Sequence, residues 1–309
     1  PEHPLAARLW RSASRRRVRV CPRSVQFETL SVCNGACVFC PYPESAKTQP
    51  MGFMARELFE KIVEEVAKHP IRRISPFLNN EPFLDPDMVQ KLRYIRERVP
   101  GARIVLTTNG SRLDAATVDA LLERDVLHSL FISFQGVEKE AYEASMRGSL
   151  VFERTLANVE NLIERWKAAG GRRRFRIVVT MVATNQVDLD RAAGYWRARG
   201  VESQWTALEN RGGNVAAATA LAPAGRPFGG FGDCTRLFKQ AYILFNGDMV
   251  LCCTDYTRKM VLGNVTESSI EEVWNGPKAR AARRLFAEGR YDAIPLCGSC
   301  EISRNGDGP

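Results

Sequence analysis

The chain has 309 residues, of which 45% are hydrophobic and 26% are charged. These proportions are typical of a water-soluble globular protein, and the length allows one large domain or a domain with an appendage. No uninterrupted apolar run is long enough to cross a bilayer, and the arginine-rich start is not followed by the apolar stretch of a secretory signal peptide. The sequence therefore predicts a cytoplasmic protein that does not engage a membrane.

The formal net charge is +9, which would suit an anionic partner such as a nucleic acid, a phosphorylated substrate or an acidic leader peptide. The basic residues, however, lack the interleaved aromatic side chains that stack on bases. We therefore interpret most of the excess as solvated surface charge and do not expect a nucleic acid partner. The nine cysteines form an odd set, and in a reducing compartment metal or cluster ligation explains them better than disulfides do.

Short β-rich runs alternate with amphipathic stretches as far as about residue 210, the pattern of repeated βα units around a parallel sheet. Six strands are predicted, at residues 25–30, 72–78, 103–107, 129–134, 174–182 and 203–208. The helices between them are predicted at residues 55–68, 87–98, 114–123, 139–145, 152–168 and 188–199. Asp114 and Asp188 are plausible N-caps. Six βα units predict an α/β fold in the form of a partial, TIM-like (β/α)6 barrel.

The loops that follow the first four predicted strands carry cysteines or polar residues. In barrel-like sheets the reactive groups lie at the carboxyl ends of the strands. The cysteine loop follows the first strand and is succeeded by three further loops, Asn79-Asn80-Glu81-Pro82, Thr107-Thr108-Asn109-Gly110 and Gln135-Gly136. We expect all four loops on one rim of the barrel, where the functional site is predicted.

The C-terminal part begins with a predicted hairpin. Asn246-Gly247 separates two apolar runs, 242–245 and 248–251, and this is a strong hairpin signal because both central residues tolerate positive φ. A helix is predicted at 269–288. The predicted organisation is a basic extension (1–24), a barrel (25–210), a Gly-, Ala- and Pro-rich linker (211–233) and a small cluster-binding unit of hairpin and helix (234–309).

Three cysteines follow the first predicted strand with the spacing Cys33-x3-Cys37-x2-Cys40. A cubane [4Fe–4S] cluster takes four thiolates when it only carries electrons, so a loop that supplies three leaves one iron open to a reactant. The alternatives are a zinc site that lacks a ligand and three structural thiols that are merely close in sequence. Zinc sites usually close with two pairs of ligands, and this spacing fits that pattern poorly.

The same run, with Phe39 before its last cysteine, resembles the signature of the radical S-adenosylmethionine (SAM) superfamily at every defining position. The resemblance implies that Cys33, Cys37 and Cys40 hold a [4Fe–4S] cluster whose open iron chelates the amino and carboxylate groups of SAM. It also implies that an electron from the cluster cleaves SAM to a 5′-deoxyadenosyl radical. A flavodoxin or a ferredoxin-type protein is then the expected electron donor.

Cys234, Cys252, Cys297 and Cys300 make a second set of four thiols, with Cys253 as a spare. Adjacent strand residues point to opposite faces, so only one of Cys252 and Cys253 easily faces a shared site, and we favour Cys252. The order of these residues resembles the twitch domain, a shortened SPASM domain of radical SAM enzymes. The resemblance implies one auxiliary [4Fe–4S] cluster that transfers electrons. A structural zinc knuckle with the same four thiolates is the alternative.

The resemblance also implies which residues surround SAM. Where family members carry Gly-Gly-Glu-Pro after the second strand, this chain has Asn79, Asn80 and Glu81 before the proline, and this segment is expected to contact the amino group of SAM. Ser133 on the fourth strand and Arg147 match the family positions near the SAM carboxylate and ribose; an arginine suits a carboxylate because its fork can bind both oxygens.

Two further polar residues, Asn109 and Thr180, are expected at the rim as cofactor-binding residues, although a role as a buried turn or strand residue explains each equally well. The catalytic candidates are Glu209 and Arg211, which follow the sixth strand where the barrel opens toward a substrate. The sequence does not choose between them, or between them and Asn210, as the base.

The family resemblance implies hydrogen abstraction from a small-molecule substrate such as a sugar, an aminocyclitol or a nucleoside. Oxidation of an alcohol, with the auxiliary cluster as electron acceptor, resembles the 2-deoxy-scyllo-inosamine dehydrogenase group of aminoglycoside enzymes. The alternatives are a redox-neutral decarboxylase or dehydratase, a maturase of ribosomally made peptides, and a non-enzymatic electron carrier. The three-cysteine run argues against the carrier, because a carrier gains nothing from an open iron.

Overall fold

The structure, a computed structural model, describes residues 18–215, 218–223 and 234–301. The described strands are β1 (Ser24–Phe27), β2 (Arg73–Ser75), β3 (Arg103–Thr108), β4 (Ser129–Ser133), β5 (Arg176–Ala183), β6 (Glu202–Ala207), β7 (Gln240–Ile243), β8 (Asp248–Val250) and β9 (Val261–Asn264). They form one sheet in the order β6-β5-β4-β3-β2-β1-β7-β8-β9. Most of the predicted extension and part of the predicted linker lie outside the described residues.

The described helices are α1 (Tyr42–Ser45), α2 (Arg56–Ala67), α3 (Met88–Arg98), α4 (Ala115–Glu123), α5 (Lys139–Ser145), α6 (Phe152–Ala168), α7 (Leu189–Ala198), α8 (Ala218–Leu221), α9 (Arg236–Lys239), α10 (Ile270–Trp274) and α11 (Pro277–Ala287). In α2 the buried residues Leu58, Ile62 and Val66 recur at helical spacing, which turns one apolar face toward the sheet. The predicted caps Asp114 and Asp188 are confirmed, since each side chain accepts a hydrogen bond from a first-turn amide.

Strands β1 to β6 lie side by side in chain order and are all parallel. Helices occupy each connection, so the predicted α/β partial barrel of six βα units is confirmed. Val25 and Phe27 of β1 are fully buried in a core shared with Ile62 of α2. Because the six strands are parallel and a helix returns the chain between one strand and the next, the carboxyl ends of the strands and the loops that follow them lie on one rim.

The C-terminal hairpin continues the barrel sheet. β7 pairs in parallel with β1, with Val25 opposite Ala241, and β8 returns antiparallel to β7. The turn between β7 and β8 contains Gly247 at φ +88°, as the Asn-Gly signal predicts. β9 adds a third strand that the sequence analysis does not predict. The unit that carries the second cysteine set is thereby hydrogen-bonded to the strand that precedes the first set.

The single helix predicted at 269–288 is wrong, because two helices occupy this span. α10 begins with a capping box between Ser269 and Glu272 and ends at Trp274. Pro277 then opens α11 from the cap position of Gly276. A proline has no amide hydrogen to continue α10, but it is well suited to the first turn of a new helix. Among the described helices, none combines the length and apolarity that a bilayer crossing requires.

Candidate active site

The three-cysteine loop lies directly after β1 and is tightly folded. The amide of Gly35 lies 3.4 Å from Cys33 Sγ. A Cβ atom at Gly35 would be 3.7 Å from Cys33 Sγ and 3.6 Å from Cys37 Sγ, so the two sulfurs flank this glycine. Burial raises the pKa of Cys33 to about 12 and also raises the pKa of Cys37, and each thiol is further affected by the charge of Cys40. Two sulfurs on either side of one glycine, with Cys40 near enough to act electrostatically on both, fit a cluster whose irons accept thiolates.

The loop is held in place by the segment that follows α5. Ala36 donates its amide to the carbonyl of Arg147 at 2.8 Å, and the amide of Ser149 donates to the carbonyl of Asn34 at 2.9 Å. Gly148 makes this approach possible, because it adopts φ +87° and a Cβ there would lie 2.7 Å from the Asn34 oxygen. The Arg147 side chain is exposed and donates to the Ala144 carbonyl at 3.1 Å, and its role near SAM stays a prediction.

Glu81 is fully buried, and its hydrogen bonds stabilise the rim. Its carboxylate accepts hydrogen bonds from Thr108 Oγ1 and the Asn109 amide, each at 2.6 Å, and from the Phe83 amide at 3.2 Å. Burial raises the pKa of Glu81 to about 7. The Asn109 side chain in turn donates to Asn34 at 2.9 Å, within the cysteine loop. The structure thus brings the predicted residues Glu81 and Asn109 together with this loop.

The two asparagines before Glu81 differ in their surroundings. Asn80 Oδ1 accepts from the Leu78 amide at 2.9 Å, while its buried Nδ2 has no hydrogen-bond partner among the described residues. An unpartnered buried donor at the rim is a group that a polar cofactor would satisfy. The main-chain amide of Asn79 contacts the carboxylate of Glu28, and Asn79 lines a small cavity beside Tyr42.

Ser133 and Thr180 are direct partners in the β4–β5 register and are both partly exposed. Thr180 Oγ1 donates to the Ile132 carbonyl at 3.3 Å, so this hydroxyl is used within the sheet. Gln135, just beyond β4, is buried and both donates to and accepts from the main chain of Val182. Gln135 therefore ties β4 to β5 at the rim.

The second cysteine set surrounds one small pocket. Cys234, Cys252, Cys297 and Cys300 line it, together with apolar residues of α9 and α11 and with Leu251, which follows β8. Cys253 is not among the lining residues, so the expected preference for Cys252 agrees with this geometry. A hydrogen bond from Cys253 lowers the pKa of Cys252 to about 5, whereas burial raises the pKa of Cys234 to about 12. Four cysteine sulfurs can supply all the protein ligands of a cubane cluster, which would leave none of its irons open.

The catalytic candidates lie between the two cysteine sets. Arg236 donates to Glu209 Oε1 at 3.3 Å, and Arg211 Nη1 lies 3.9 Å from Glu209 Oε2, which is buried and has no hydrogen-bond partner among the described residues. Arg211 adopts φ +50°, a left-handed backbone uncommon for a side chain of this size. The charges of Cys253 and Cys252 raise the pKa of Arg236, so its guanidinium stays charged.

The sequence analysis does not identify three residues of this region. Tyr256 Oη lies 3.8 Å from Cys40 Sγ and interacts with Arg211. Arg236 pairs with Glu209, and Glu28 is a buried carboxylate at the end of β1. No motif marks Tyr256 or Arg236. A glutamate directly after a buried strand at the rim is the signal that could have indicated Glu28.

Residues 27–186 match the family model of the radical SAM superfamily. The chain belongs to this superfamily. Residues 234–301 match the model of the iron–sulfur cluster-binding SPASM domain. The chain is therefore an enzyme, and its cofactors are a [4Fe–4S] cluster, SAM and an auxiliary iron–sulfur cluster in the C-terminal domain, as the sequence analysis predicts. Membership therefore favours iron–sulfur clusters over zinc in both domains.

The chain is similar to S-adenosyl-L-methionine-dependent 2-deoxy-scyllo-inosamine dehydrogenase from Niallia circulans, at 24% identity over 89% of this chain and 91% of the relative. Among solved structures it resembles BtrN in complex with AdoMet and 2-DOIA, with a TM-score of 0.62, 21% identity and coverage of 90% and 92% of the two chains. It also resembles SuiB from Streptococcus suis bound to the precursor peptide SuiA, with a TM-score of 0.68, 14% identity and coverage of 96% and 72%. At these identities the structural matches support the fold.

Proposed function

We propose that this enzyme is a dehydrogenase that oxidises a secondary alcohol on a small sugar, aminocyclitol or nucleoside intermediate of natural-product biosynthesis. The relative from Niallia circulans is named for such a reaction, and the similarity extends along nearly the whole of both chains. The observation that carries the proposal is the pocket lined by Cys234, Cys252, Cys297 and Cys300. A cluster with four protein thiolates has no open iron, which suits an acceptor of single electrons.

When bound, the two clusters and SAM would supply a 5′-deoxyadenosyl radical and an electron acceptor. The substrate would then lose one hydrogen atom from carbon, one proton from its hydroxyl group and one electron from the resulting ketyl radical. A reduced flavodoxin or ferredoxin-type protein is the proposed source of the initiating electron. Cys33, Cys37 and Cys40 hold the first cluster, while Glu81 and Asn109 keep their loop rigid through the hydrogen bonds between them.

Asn80 is the proposed donor to SAM. Its Nδ2 is buried and has no partner among the described residues, and a carboxylate or ribose oxygen would satisfy it. The proposal also places four other predicted residues around SAM, namely Ser133, Asn79, Thr180 and Arg147. Thr180 and Arg147 each donate to a main-chain carbonyl, of Ile132 and Ala144 respectively.

Glu209 is the proposed acceptor of the hydroxyl proton. Its Oε2 is free of hydrogen bonds within the described chain, and Oε1 is occupied by Arg236. Arg211 Nη1 lies 3.9 Å from Oε2 and is therefore close to the same position. A substrate hydroxyl placed at Oε2 would lie between the two cysteine sets, which suits a radical that must pass on an electron.

The test is an anaerobic assay of reconstituted protein with SAM, a reductant and 2-deoxy-scyllo-inosamine together with related aminocyclitols and sugars. We expect 5′-deoxyadenosine and a product lighter by two hydrogens, with about one SAM consumed per product. Cys37→Ala abolishes deoxyadenosine formation. Glu209→Gln retains the first cluster but lowers kcat by about 100-fold, the scale of a lost general base.

Three outcomes would overturn the proposal. Release of carbon dioxide would identify a decarboxylase, loss of water would identify a dehydratase, and modification of a peptide would identify a maturase. Replacement of the chemical reductant by reduced flavodoxin or ferredoxin tests the electron donor separately. If neither protein supports deoxyadenosine formation while the chemical reductant does, the proposed donor is wrong and the reaction assignment is unaffected.

A further inference from the structure

A third group of metal-ligating side chains lies at the end of the barrel opposite the cysteine loop. Cys21 Sγ lies 3.9 Å from Glu271 Oε2, and His69 Nε2 lies 3.8 Å from the same oxygen. One ligand atom of each residue lies within 4.8 Å of the other two. Cys21 precedes β1, His69 follows α2 and Glu271 belongs to α10, so three separate segments of the chain converge here.

The surroundings of this group favour a cation. Cys21 is buried, with 8% of its surface exposed, while the side chains of His69 and Glu271 are partly accessible at 26% and 44%. Both Glu271 and Glu65 act electrostatically on the thiol. The two carboxylates beside this sulfur supply negative charge that a bound cation would offset, and the partial exposure provides a path for its entry.

The three segments are held in place independently of any metal. The amide of Ile270 donates to Glu65 at 2.6 Å, which joins α10 to α2. The indole of Trp274 donates to the Arg19 carbonyl at 3.1 Å, and the Asn275 amide group donates to the Val20 carbonyl at 2.8 Å. The ligand atoms are therefore brought together by contacts on both sides of the group, and little rearrangement is required for binding.

We propose that Cys21, His69 and Glu271 bind a zinc ion, with solvent water as the fourth ligand. In a tetrahedral site with a Zn–S distance of about 2.3 Å and Zn–N or Zn–O distances of about 2.0 Å, neighbouring ligand atoms lie roughly 3.3 to 3.6 Å apart. The observed separations of 3.8 and 3.9 Å exceed that geometry by about half an ångström, and the third, between Cys21 and His69, lies within 4.8 Å. Shifts of this size lie within reach of side-chain torsions.

The donor set selects the metal and the location indicates its role. Sulfur, imidazole nitrogen and one carboxylate form a set that suits zinc, whereas magnesium and calcium prefer oxygen alone. The site lies at the amino ends of the strands, away from the rim that carries the radical chemistry. The zinc ion would therefore connect α10 of the C-terminal unit to the base of the barrel and stabilise that interface.

The experiment measures zinc and iron by mass spectrometry in tag-free protein whose clusters have been reconstituted anaerobically, supplied with one equivalent of zinc and then desalted. We expect about one zinc per chain beside the full iron content of the clusters. Cys21→Ser and His69→Gln each lower the retained zinc at least tenfold and leave iron unchanged. His128→Gln, which changes a histidine outside the group, retains the zinc.

X-ray absorption at the zinc edge separates this site from misloading of the cluster cysteines. One sulfur near 2.3 Å with nitrogen and oxygen ligands near 2.0 Å is the expected shell. A shell of sulfur alone would place zinc in a cluster site and overturn the proposal, as would wild-type protein that retains no zinc. Should Cys21→Ser fail to fold, Glu271→Gln at a more exposed position replaces it, and unchanged zinc in that variant also refutes the site.

Discussion

The phenol oxygen of Tyr256 lies 3.8 Å from the sulfur of Cys40. Tyr256 belongs to the C-terminal unit and Cys40 to the loop after β1, so this contact joins the two cysteine sets through side chains as well as through the pairing of β1 with β7. The same phenol interacts with Arg211 and Cys253. A substitution at Tyr256 should therefore change the reduction potential of the first cluster, although Tyr256 is not one of its ligands.

Tyr256→Phe is expected to lower the reduction potential of the first cluster. With Cys40 ligated as a thiolate, the phenol can only donate to the sulfur, and such a bond stabilises the more negative, reduced cluster. A hydrogen bond that is about 1 kcal/mol stronger to the reduced than to the oxidised cluster corresponds to about 40 mV for one electron. A redox titration followed by electron paramagnetic resonance measures the shift. Tyr195→Phe, which removes a phenol bonded to Glu160 on the outer helices, is the matched control and should leave the potential unchanged.

Cys252→Ala and Cys253→Ala separate a cluster ligand from its neighbour. Cys252 lines the pocket of four thiols and Cys253 does not. We expect Cys252→Ala to lower the iron content from about eight to about four per chain, because a cubane holds four irons, and Cys253→Ala to retain about eight. The measurement is iron and sulfide content per chain in both variants after anaerobic reconstitution. Loss of about four irons in Cys253→Ala, with the iron retained in Cys252→Ala, would identify Cys253 as the ligand.

The sequence predicts those features of the site that local spacing encodes. The three-cysteine run is recognised from its own spacing, and the choice of Cys252 follows from strand alternation. The second set, spread from Cys234 to Cys300, is recognised only through its resemblance to a known domain. The pairing of β7 with β1 leaves no such signal, because it joins residues more than 200 positions apart in a parallel register. The contact between Tyr256 and Cys40 depends on that pairing. The helix predicted at 269–288 is wrong for a local reason, since Pro277 within this span starts a new helix.

Gly148→Ala is expected to disrupt the cysteine loop. The new Cβ would lie 2.7 Å from the Asn34 carbonyl oxygen and 2.9 Å from the Ala36 amide nitrogen, both main-chain atoms of the loop. The loop must then shift by a substantial fraction of an ångström, and displacement of a reacting centre by about 1 Å can cost about 100-fold in rate. Deoxyadenosine formation is the measurement.

Gly289→Ala controls for the backbone strain in this experiment. Gly289 has φ +76°, similar to the φ of +87° at Gly148, but a Cβ there meets no atom within 4 Å. Its substitution should cost only the roughly 1 kcal/mol of an unfavourable backbone conformation and leave SAM cleavage intact. Equal loss of cleavage in the two variants would show that strain, and not contact with the loop, is responsible.

Glu28 is expected to make stability depend on pH. Burial raises its pKa to about 7, although the amides of Phe245 and Asn79 favour the charged form. Because the folded protein holds this proton more tightly than the unfolded chain does, the stabilising contribution is fully present below the unfolded pKa of about 4.5 and is lost as the pH rises through about 7. Between about pH 5 and pH 7 the loss amounts to about 2 kcal/mol.

Glu28→Gln removes this titration while it retains the size of the side chain. The Tm of the wild type should therefore fall relative to that of the variant by about 4 °C between about pH 5 and pH 7. Glu44→Gln, at an exposed carboxylate paired with Lys47, serves as the control and should track the wild type across the range. A parallel pH dependence in wild type and Glu28→Gln would mean that Glu28 stays ionised in the folded protein, held so by the two amides and by the charge of Arg258.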